Sequence, residues 1–483
     1  VDVSVSGLEG GPDGLGAGVG VLVLPRSESE PRHAAPIGDE RLLCHRFGIV
    51  ASARKRLWTI GDPATADGRR GRGAGPKRCF RPDGNRRSVA YRHVALALCT
   101  LAFAATMAAR LVISPVVPEI TADFSVSTGA IGLALSGMWA AYALSQFPSG
   151  VLADRVGERR VILAAVGLTA VSSLLLAVAP SYPVFAATTV VLGAGAGLHY
   201  SVATSFLARH FEGGVGRAIG IHVSGGPLAG LLAPVAAAAV GSRYGWRPAL
   251  LVGAGVALPV FALFWLRIDP TPPARPGVSM RSRFELGPLT ELLGRPEIRY
   301  STAMAVGGAF CWQATASFLP AFLIGHHGRS PATAGALFSV YFVVHGVSQP
   351  LLGGLSDRIG RDVVAAVAFG TGAVGYGVLV AGSGAAVVAA IPLVGVAMSW
   401  GAPVQSRFID SLASDERAAG FGLVRTVYML LGALGSVVVG SLSDVAGWGV
   451  AFGALVALLG AECLLAAALA VRGRRARARS TRT

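Results

Sequence analysis

The sequence predicts an all-α membrane protein with twelve transmembrane helices, arranged as two pseudo-symmetric bundles of six. Of its 483 residues, 53% are hydrophobic and only 14% are charged, and the mean hydropathy is +0.59. Apolar runs of about 18–24 residues alternate with short polar turns from Tyr91 onward. One loop motif also recurs later in the chain. A soluble chain of this length could not hide so much apolar surface behind a charged exterior.

The predicted spans fall into two sets of six, separated by one long interval, Arg267 to Arg299, that holds six Arg residues and is rich in Pro. The spans are 93–116, 127–149, 161–179, 183–206, 218–240, 247–266, 300–323, 332–354, 363–381, 384–406, 420–442 and 447–471. The predicted organisation is a disordered basic N-terminal extension (1–90), a six-helix bundle (91–266), a cytoplasmic linker loop (267–299), a second six-helix bundle (300–471) and an Arg-rich cytoplasmic tail (472–483).

The first 88 residues differ in character from the rest. They are rich in Gly, Arg, Pro and Asp, and their apolar run from Gly18 to Leu24 is too short to cross a bilayer. No basic region precedes that run, as a signal peptide would require. Two interpretations stay open: a disordered cytoplasmic tail, or a translated upstream stretch with the functional start near Val89. We favour the second, because the first Met is Met107, inside span 1.

The distribution of Arg predicts the orientation in the membrane. With both termini in the cytoplasm, the inside loops and C-terminal tail carry 21 Arg, and the outside loops carry three, Arg243, Arg247 and Arg329. Because basic residues accumulate in cytoplasmic loops, we expect a multi-pass protein of the cell (plasma) membrane with both termini cytoplasmic. The same rule explains the net charge of +16, so we expect no nucleic-acid partner.

Two loops carry the same motif. One follows span 2 and the other follows span 8, and their Asp residues, Asp154 and Asp357, are 203 positions apart. Internal repetition on this scale indicates a duplicated bundle. The loops read Gly150-Val-Leu-Ala-Asp154-Arg155-Val-Gly157-Glu-Arg159-Arg160 and Gly353-Gly-Leu-Ser-Asp357-Arg358-Ile-Gly360-Arg361.

These loops resemble the signature loop of the major facilitator superfamily, which occurs once per half. The resemblance covers about residues 93–471 and implies a secondary transporter whose halves rock about a central site. In that family the loop holds the inner gate shut. The resemblance thus implies a gating role for Gly150, Asp154, Arg155, Gly157, Arg159, Gly353, Asp357, Arg358, Gly360 and Arg361. The simpler interpretation is that Asp-Arg-Gly turns merely end helices.

Two further family patterns are only partly present. Gly193, Gly195 and Gly197 resemble the RxxxGxGxG pattern of span 4, but Thr189 stands where its Arg would be. The segment from Gly226 to Gly230 resembles the GPxxGG element of exporters, with Leu231 in place of the final Gly. This element weakly favours export, and a Pro kink packed by small residues is the alternative.

Polar residues inside the spans are few, and ionisable residues at membrane depth are costly and indicate functional sites. In the superfamily, the first and fourth spans of each half line the cavity. The candidates for the substrate cavity are Arg110, His199, Tyr200, Trp312, Gln313, Trp400 and Arg425. Alternatives stay open: Arg110 could snorkel to the outer headgroups, Arg425 could pair with Asp357 or lipid phosphate, and His199, Trp312 and Trp400 could be packing residues.

The remaining polar positions indicate the sign of the charge that the substrate carries. His222 and Tyr428 could line the path, with His345 and Gln349 as weaker candidates. Glu462 is the only carboxylate clearly inside a span, and we expect it to serve packing. The interiors of spans 1, 4 and 7 lack Asp and Glu, which favours an anionic or polar neutral substrate over a cationic one. If protons are coupled, histidine is the available carrier.

The sequence therefore predicts a secondary active transporter of a small solute and not an enzyme, since no HExxH, GxSxG, paired intramembrane Asp or nucleotide-binding loop is found. The expected partners are the substrate, a coupling proton or ion, and the lipid bilayer, with a monomeric state. No cofactor or metal is expected, because the five Cys are scattered. The alternatives are a drug or metabolite efflux antiporter of the same fold, or a non-transporting sensor.

Overall fold

A computed structural model describes residues 83–211, 214–277, 287–413 and 417–480. All of the helices below belong to one compact unit, Cys79–Thr483. The predicted N-terminal extension as far as residue 82 lies outside the described residues. Within the described ranges the chain is helical and contains no β-strand.

The first half contains spans 1 to 6. Span 1 combines the helix Asp83–Leu111, the 3-10 turn Ser114–Val116 and the helix Val117–Phe124. Spans 2 and 3 are Thr128–Val156 and Glu158–Ala177. Span 4 is Tyr182–Gly197 followed by His199–His210, span 5 is Val215–Val223 followed by Gly225–Tyr244, and span 6 is Trp246–Arg267.

The second half repeats this order as spans 7 to 12. Spans 7, 8 and 9 are Pro296–Gly325, Pro331–Ile359 and Arg361–Ala381. Span 10 combines Ala385–Ala397, the 3-10 turn Met398–Trp400 and Gly401–Ser411. Spans 11 and 12 are formed by Arg417–Gly432 and by Leu434–Ser480, which is interrupted at Gly447, where φ is 80°.

The predicted number of twelve spans is confirmed. Ten helical stretches are long and apolar enough to cross a membrane, and one of them, Gly420–Arg475, contains both span 11 and span 12. Span 2, Thr128–Val156, is not among the ten but has 29 residues, ample length to cross. Helix bounds differ from the predicted ones at several spans: span 2 ends at Val156, span 7 begins at Pro296, and the last helix runs to Ser480, into the predicted tail. Span 1 begins at Asp83, and the linker contains a short helix, Gly287–Gly294.

The duplication is visible in the helix starts. Ser127 Oγ accepts a hydrogen bond from Ala130 N at the start of span 2, and Ser330 Oγ accepts one from Thr333 N at the start of span 8. These N-caps satisfy backbone donors that the first turn leaves unpaired. The two serines are 203 positions apart, the same shift that relates the two motif loops.

Several spans are broken partway along their length. Span 4 breaks at Leu198 and span 5 at Ser224, and span 10 is interrupted by the 3-10 turn Met398–Trp400. Discontinuous helices are typical of transporters, in which polar sites lie where half-helices meet. His199 directly follows the break in span 4, and His222 lies two residues before the break in span 5.

The two halves meet at the end of the bundle opposite the motif loops, which we call the closed end. There, Asp444 of span 11 accepts hydrogen bonds from the backbone nitrogens of Thr128 (3.0 Å) and Gly129 (2.7 Å) of span 2. Between spans 1 and 7, Ser114 Oγ donates to the Ser317 carbonyl at 2.9 Å. Ser114 and Ser317 are themselves 203 positions apart, so repeat-related positions touch each other.

Small residues let the facing spans approach closely along this interface. Ser136 Oγ of span 2 donates to the Ala433 carbonyl at 2.5 Å and accepts from Val437 N at 2.9 Å. A Cβ added at Gly335 of span 8 would lie 2.7 Å from the Ala238 Cβ of span 5. Such close approach of backbones is how membrane helices associate. We call the end that carries the signature loops the motif end.

Candidate functional site

The first motif loop is bound to the linker of its own half. The Asp154 carbonyl accepts from Arg275 N at 2.8 Å, and the two side chains form an ion pair at 3.9 Å. Arg159 donates to the Trp265 carbonyl at 2.6 Å, and its guanidinium lies 4.9 Å from the Trp265 ring centroid. Gly157 has a φ of +92°, and the Thr271 carbonyl occupies the space that a Cβ would need. The predicted tight turn at Gly157 is present.

The second motif loop also bonds within its own half. Arg361 pairs with Asp357 of the same loop, and its Nε lies 3.0 Å from Asp410 at the end of span 10. Gly360 has a φ of +105° and makes the equivalent turn. Arg155, Arg358 and Gly150 are exposed, and Gly353 is half-buried. The gating role of both loops stays a prediction, because the structure shows the loops in one arrangement.

Arg110 lies inside the protein, on span 1. It is 2% exposed, its Nε donates to the Thr106 carbonyl at 3.0 Å, and its guanidinium lies 4.2 Å from the Tyr142 ring centroid and 5.0 Å from that of Trp139. The side chain is therefore buried among aromatic rings and does not snorkel toward a headgroup. Its Nη1 is buried and has no hydrogen-bond partner.

Arg425, on span 11 of the second half, reaches across to the first half. Its guanidinium lies 5.0 Å from the centroid of the Tyr200 ring of span 4, and it is within electrostatic range of Tyr142. Its Nε is buried without a hydrogen-bond partner. Asp357, the other partner considered from the sequence, pairs with Arg361 instead.

His199 and His222 form a close pair where the broken spans 4 and 5 meet. Their ring centroids are 5.5 Å apart, and both side chains are 0% exposed. Phe103 of span 1 packs against both rings, and Tyr200 lies 6.1 Å from the His222 ring. The Cys99 carbonyl is nearby, yet no ring nitrogen of either histidine makes a well-aligned hydrogen bond.

We call these six side chains the central cluster: Arg110, Tyr142, His199, Tyr200, His222 and Arg425. They come from spans 1, 2, 4, 5 and 11. Among the residues that the structure describes, no carboxylate forms an ion pair with either arginine of the cluster. The cluster therefore holds unpaired positive charge and unpaired imidazole nitrogens at membrane depth, a combination suited to receiving an anion.

Besides Arg425, three predicted cavity residues lie in the second half. Trp312 packs edge to face on Trp139, with ring centroids 5.2 Å apart, and so reaches Arg110 only through that ring. Gln313 donates from Nε2 to the Met429 carbonyl at 3.0 Å, and its Oε1 is buried without a partner. Trp400 is buried against Gly308 and Tyr428. The structure thus brings Arg110, His199, Tyr200 and Arg425 together and places Trp312, Gln313 and Trp400 outside that cluster.

Sequence reasoning missed Tyr142 and gave His222 a lesser role. The repeat shift of 203 contained a signal for both, because it relates Tyr142 to His345 and His222 to Arg425. His345 in the second half stacks on Tyr341, and its Nδ1 lies 3.4 Å from Ser399 Oγ. Polar or aromatic residues thus occur at equivalent depths in both halves.

The other positions that the sequence singled out lie at contacts between helices, and Glu462 Oε2 is buried there without a hydrogen-bond partner. Glu462 of span 12 is 7% exposed, and its carboxylate fills the space beside Gly307 of span 7. Gly193 and Gly197 pack directly on the backbone of span 2, and Thr189 donates to the Phe185 carbonyl in its own helix. Gly230 packs on Phe342 of span 8, so the partial GPxxGG element lies at the contact between the halves.

The family model for the Major Facilitator Superfamily matches residues 96–329 and 303–483, which together are most of the chain. The chain belongs to the Major Facilitator Superfamily. This confirms the resemblance that the two motif loops indicated. The observed helix order and the twelve spans agree with that membership.

Several curated proteins of this superfamily are similar in sequence. A nitrite extrusion protein of Bacillus subtilis is 26% identical over 56% of this chain and 66% of its own length. A probable sulfoacetate transporter of Cupriavidus necator is 27% identical over 41% of this chain and 46% of its own length. A multidrug resistance protein B homologue of Mycobacterium tuberculosis is 31% identical over 34% of this chain and 31% of its own length. The chain thus spans about a third to two thirds of the length of these relatives.

Solved structures support the fold. A bacterial homologue of the human lysosomal transporter Spinster, inward-facing and occupied, has a TM-score of 0.66 and 19% identity, covering 79% of this chain and 97% of that one. The nucleoside transporter NupG has a TM-score of 0.67 and 13% identity, and the match covers 78% of this chain and 99% of that one. At these identities the likeness concerns the superfamily fold alone.

Proposed function

We propose that this protein is a secondary transporter that moves a small anion across the membrane by alternating access, with the central cluster as its binding site. The observation that carries the proposal is the pair Arg110 and Arg425. Both lie within membrane spans, both have a buried nitrogen without a partner, and neither forms an ion pair with a carboxylate in the described part of the chain.

The physical reason is the cost of unpaired charge in a region of low dielectric. A charged side chain at membrane depth is expensive, and such residues pair or act on a substrate. Tyrosine and tryptophan rings offset part of this cost at Arg110 through cation–π contacts. A bound anion would supply the missing charge and accept hydrogen bonds from the free guanidinium nitrogens.

The two arginines also belong to different halves. Arg110 is on span 1 and Arg425 is on span 11, and Arg425 contacts Tyr200 across the boundary. A ligand held by both would be bound by both bundles, as alternating access between two rocking halves requires. We further propose that the motif loops act as the gate at the motif end, that this end faces the cytoplasm, and that the protein works as a monomer in the plasma membrane.

The names of two relatives agree with an anionic substrate, because nitrite and sulfoacetate are anions. A second candidate function is drug efflux, which the multidrug resistance relative favours. The two candidate functions differ in the sign of the substrate's charge. The basic central cluster favours the anion, since a cation placed beside Arg110 and Arg425 would be repelled.

The test is transport by purified protein in liposomes. Counterflow of labelled nitrite, nitrate and sulfoacetate is measured beside uptake of the cationic dye ethidium. We expect counterflow of at least one anion, reduced about a hundredfold or more in Arg110→Gln and in Arg425→Gln, because each removes a charge-assisted contact.

The matched control is Arg247→Gln. Arg247 forms an exposed ion pair with Asp123 at 2.7 Å, away from the central cluster, and we expect transport close to that of the wild type. Ethidium transport that tolerates Arg110→Gln, with none of the three anions moved, would refute the anion proposal and favour drug efflux.

A further inference from the structure

We propose that His199 and His222 form a proton site that is loaded together with the anion, so that the protein is an anion–proton symporter. This inference rests on the proposed anion function and adds the coupling ion to it. The site is the histidine pair of the central cluster, where spans 4 and 5 break and face each other.

The geometry of the pair is the first argument. Two imidazoles with centroids 5.5 Å apart are completely buried, and all four ring nitrogens lack a well-aligned hydrogen bond. Buried polar atoms almost always form a hydrogen bond, and a buried polar atom without one in a native site requires an explanation. No hydrogen bond joins the two rings in the structure, so a shared proton requires one ring nitrogen to turn toward the other. The added proton gives one ring two N–H donors, and one of these can then donate to the bare nitrogen of the other ring, which satisfies two of the four atoms.

The groups that face the pair decide its charge. Span 1 contributes Cys99, Phe103 and Arg110, and Arg110 is within electrostatic range of His199. Span 4 contributes Tyr200, which stands between the pair and Arg425 of span 11. Span 2 contributes Tyr142 beside Arg110. Glu158 of span 3, at the motif end, pairs with Arg209.

This arrangement couples the proton to the anion. A proton on His199 would add a positive charge within electrostatic range of Arg110, which forms no ion pair among the described residues, and this is unfavourable when the site is empty. An anion bound to the arginines would offset their positive charge, and the protonated form of the histidine pair would then be favoured. By linkage, protonation of the pair strengthens anion binding to the same extent.

The position of the pair gives a path for the proton. His222 lies about two helical turns from Val215, where span 5 starts at the motif end. The positions of Gly216 and Gly220 between them have open space where a Cβ would stand. Along span 5, His222 therefore lies nearer the motif end than the closed end, and the proposal has the proton enter from the motif end.

The first experiment uses the unmodified protein. Isothermal titration of the detergent-solubilised transporter with nitrite, nitrate and sulfoacetate, in two buffers of different ionisation enthalpy, counts the protons taken up on binding. We expect uptake of about one proton per anion, and an affinity about tenfold weaker for each unit of rising pH over the range where the pair is neutral. Anion binding with no proton uptake would refute the coupling and leave the anion proposal intact, whereas no binding of any of the three anions would refute the anion proposal itself.

The second experiment locates the proton. His199→Gln and His222→Gln are reconstituted singly, with the pH-sensitive dye pyranine inside the liposomes, and proton and anion fluxes are measured together. Because both residues belong to the proposed binding site, we expect each variant to lose part of its anion flux, and the ratio of protons to anions in the remaining flux to fall from about one toward zero. The control, His327→Gln, alters a loop histidine that hydrogen bonds the Leu379 carbonyl at 2.7 Å, and should keep the ratio of the wild type. A ratio near one in both pair variants would place the proton elsewhere.

Discussion

At the scale of single residues, Arg110 owes its position to aromatic neighbours. Its guanidinium lies over Tyr142 and next to Trp139, and the Nε bonds back to its own helix at Thr106. A desolvated cation–π contact is worth about 2 kcal/mol. The rings therefore hold the arginine in place without neutralising it, which leaves its charge available for a ligand.

This account predicts the effect of changes at Tyr142. Tyr142→Phe keeps the ring under Arg110 and should lower anion affinity no more than about threefold. Tyr142→Leu removes the ring, and the loss of about 1–2 kcal/mol should weaken anion affinity about tenfold. Titration of both variants with the transported anion measures this. Equal affinities in the Phe and Leu variants would show that the ring does not position Arg110.

At the scale of helices, span 11 fastens the closed end to span 2. Asp444 accepts two backbone hydrogen bonds at the N-terminus of span 2, where the helix dipole also favours a negative charge. The partner groups belong to different halves of the molecule. This contact must break for the closed end to open.

Asp444→Asn should therefore shift the protein toward the state that is open at this end. Loss of the charge weakens the contact by about 1–2 kcal/mol, a change of about five- to thirtyfold in a two-state ratio. Spin labels at Ala122→Cys and Val445→Cys, which are exposed on opposite sides of the interface, report the distance by double electron–electron resonance. The control is Asp123→Asn, whose partner Arg247 lies in the same half. An unchanged distance distribution in Asp444→Asn would contradict this role.

The helices themselves were predictable, and the reason is physical. Hydropathy over about twenty residues reports directly on bilayer thickness, so the span from 246 to 267 was predicted at 247–266. The breaks at Leu198 and Ser224 were not predicted, because hydropathy does not detect a local change of backbone geometry. The linker helix Gly287–Gly294 was missed for another reason, since eight residues are too few to give a clear period.

The site was predictable only in part. An arginine at membrane depth is conspicuous in a sequence, which is why Arg110 and Arg425 were predicted as candidates. Whether Arg110 is buried or snorkels depends on rings from span 2, and no pattern along the chain gives that contact. The same limit explains Trp400, which packs on Gly308 and Tyr428 of its own half instead of joining the central cluster.

At the scale of the whole molecule, the halves are joined at one end, and transport requires that junction to open. A Cβ at Gly129 of span 2 would lie 2.8 Å from Ser441 Oγ and 3.1 Å from Ser441 Cα of span 11. The two backbones are thus packed more tightly than a disulfide needs, since its Cβ atoms stand about 3.8 Å apart, and a bond between these positions requires a small shift of span 11. A covalent bond here would hold the closed end shut.

We therefore expect Gly129→Cys with Ser441→Cys to stop transport when oxidised and to regain it after reduction. Counterflow in liposomes with and without dithiothreitol measures the effect, and each single cysteine variant is the control. The native Cys99 and Cys311 are buried, and Cys44, Cys79 and the half-buried Cys463 are replaced by Ser in the background variant, so that the oxidant acts on the new pair. Full transport by the cross-linked protein would exclude opening at this interface.

The division of the two arginines between the halves has one more consequence. Because Arg110 moves with the first half and Arg425 with the second, the repulsion between them changes as the halves rock, and so becomes part of the energy landscape of the motion. A cargo of negative charge screens that repulsion most when the two guanidiniums are nearest. The empty and the loaded carrier should therefore prefer different conformations. Binding of the cargo would then lower the free energy of the conformational change that carries it across the membrane.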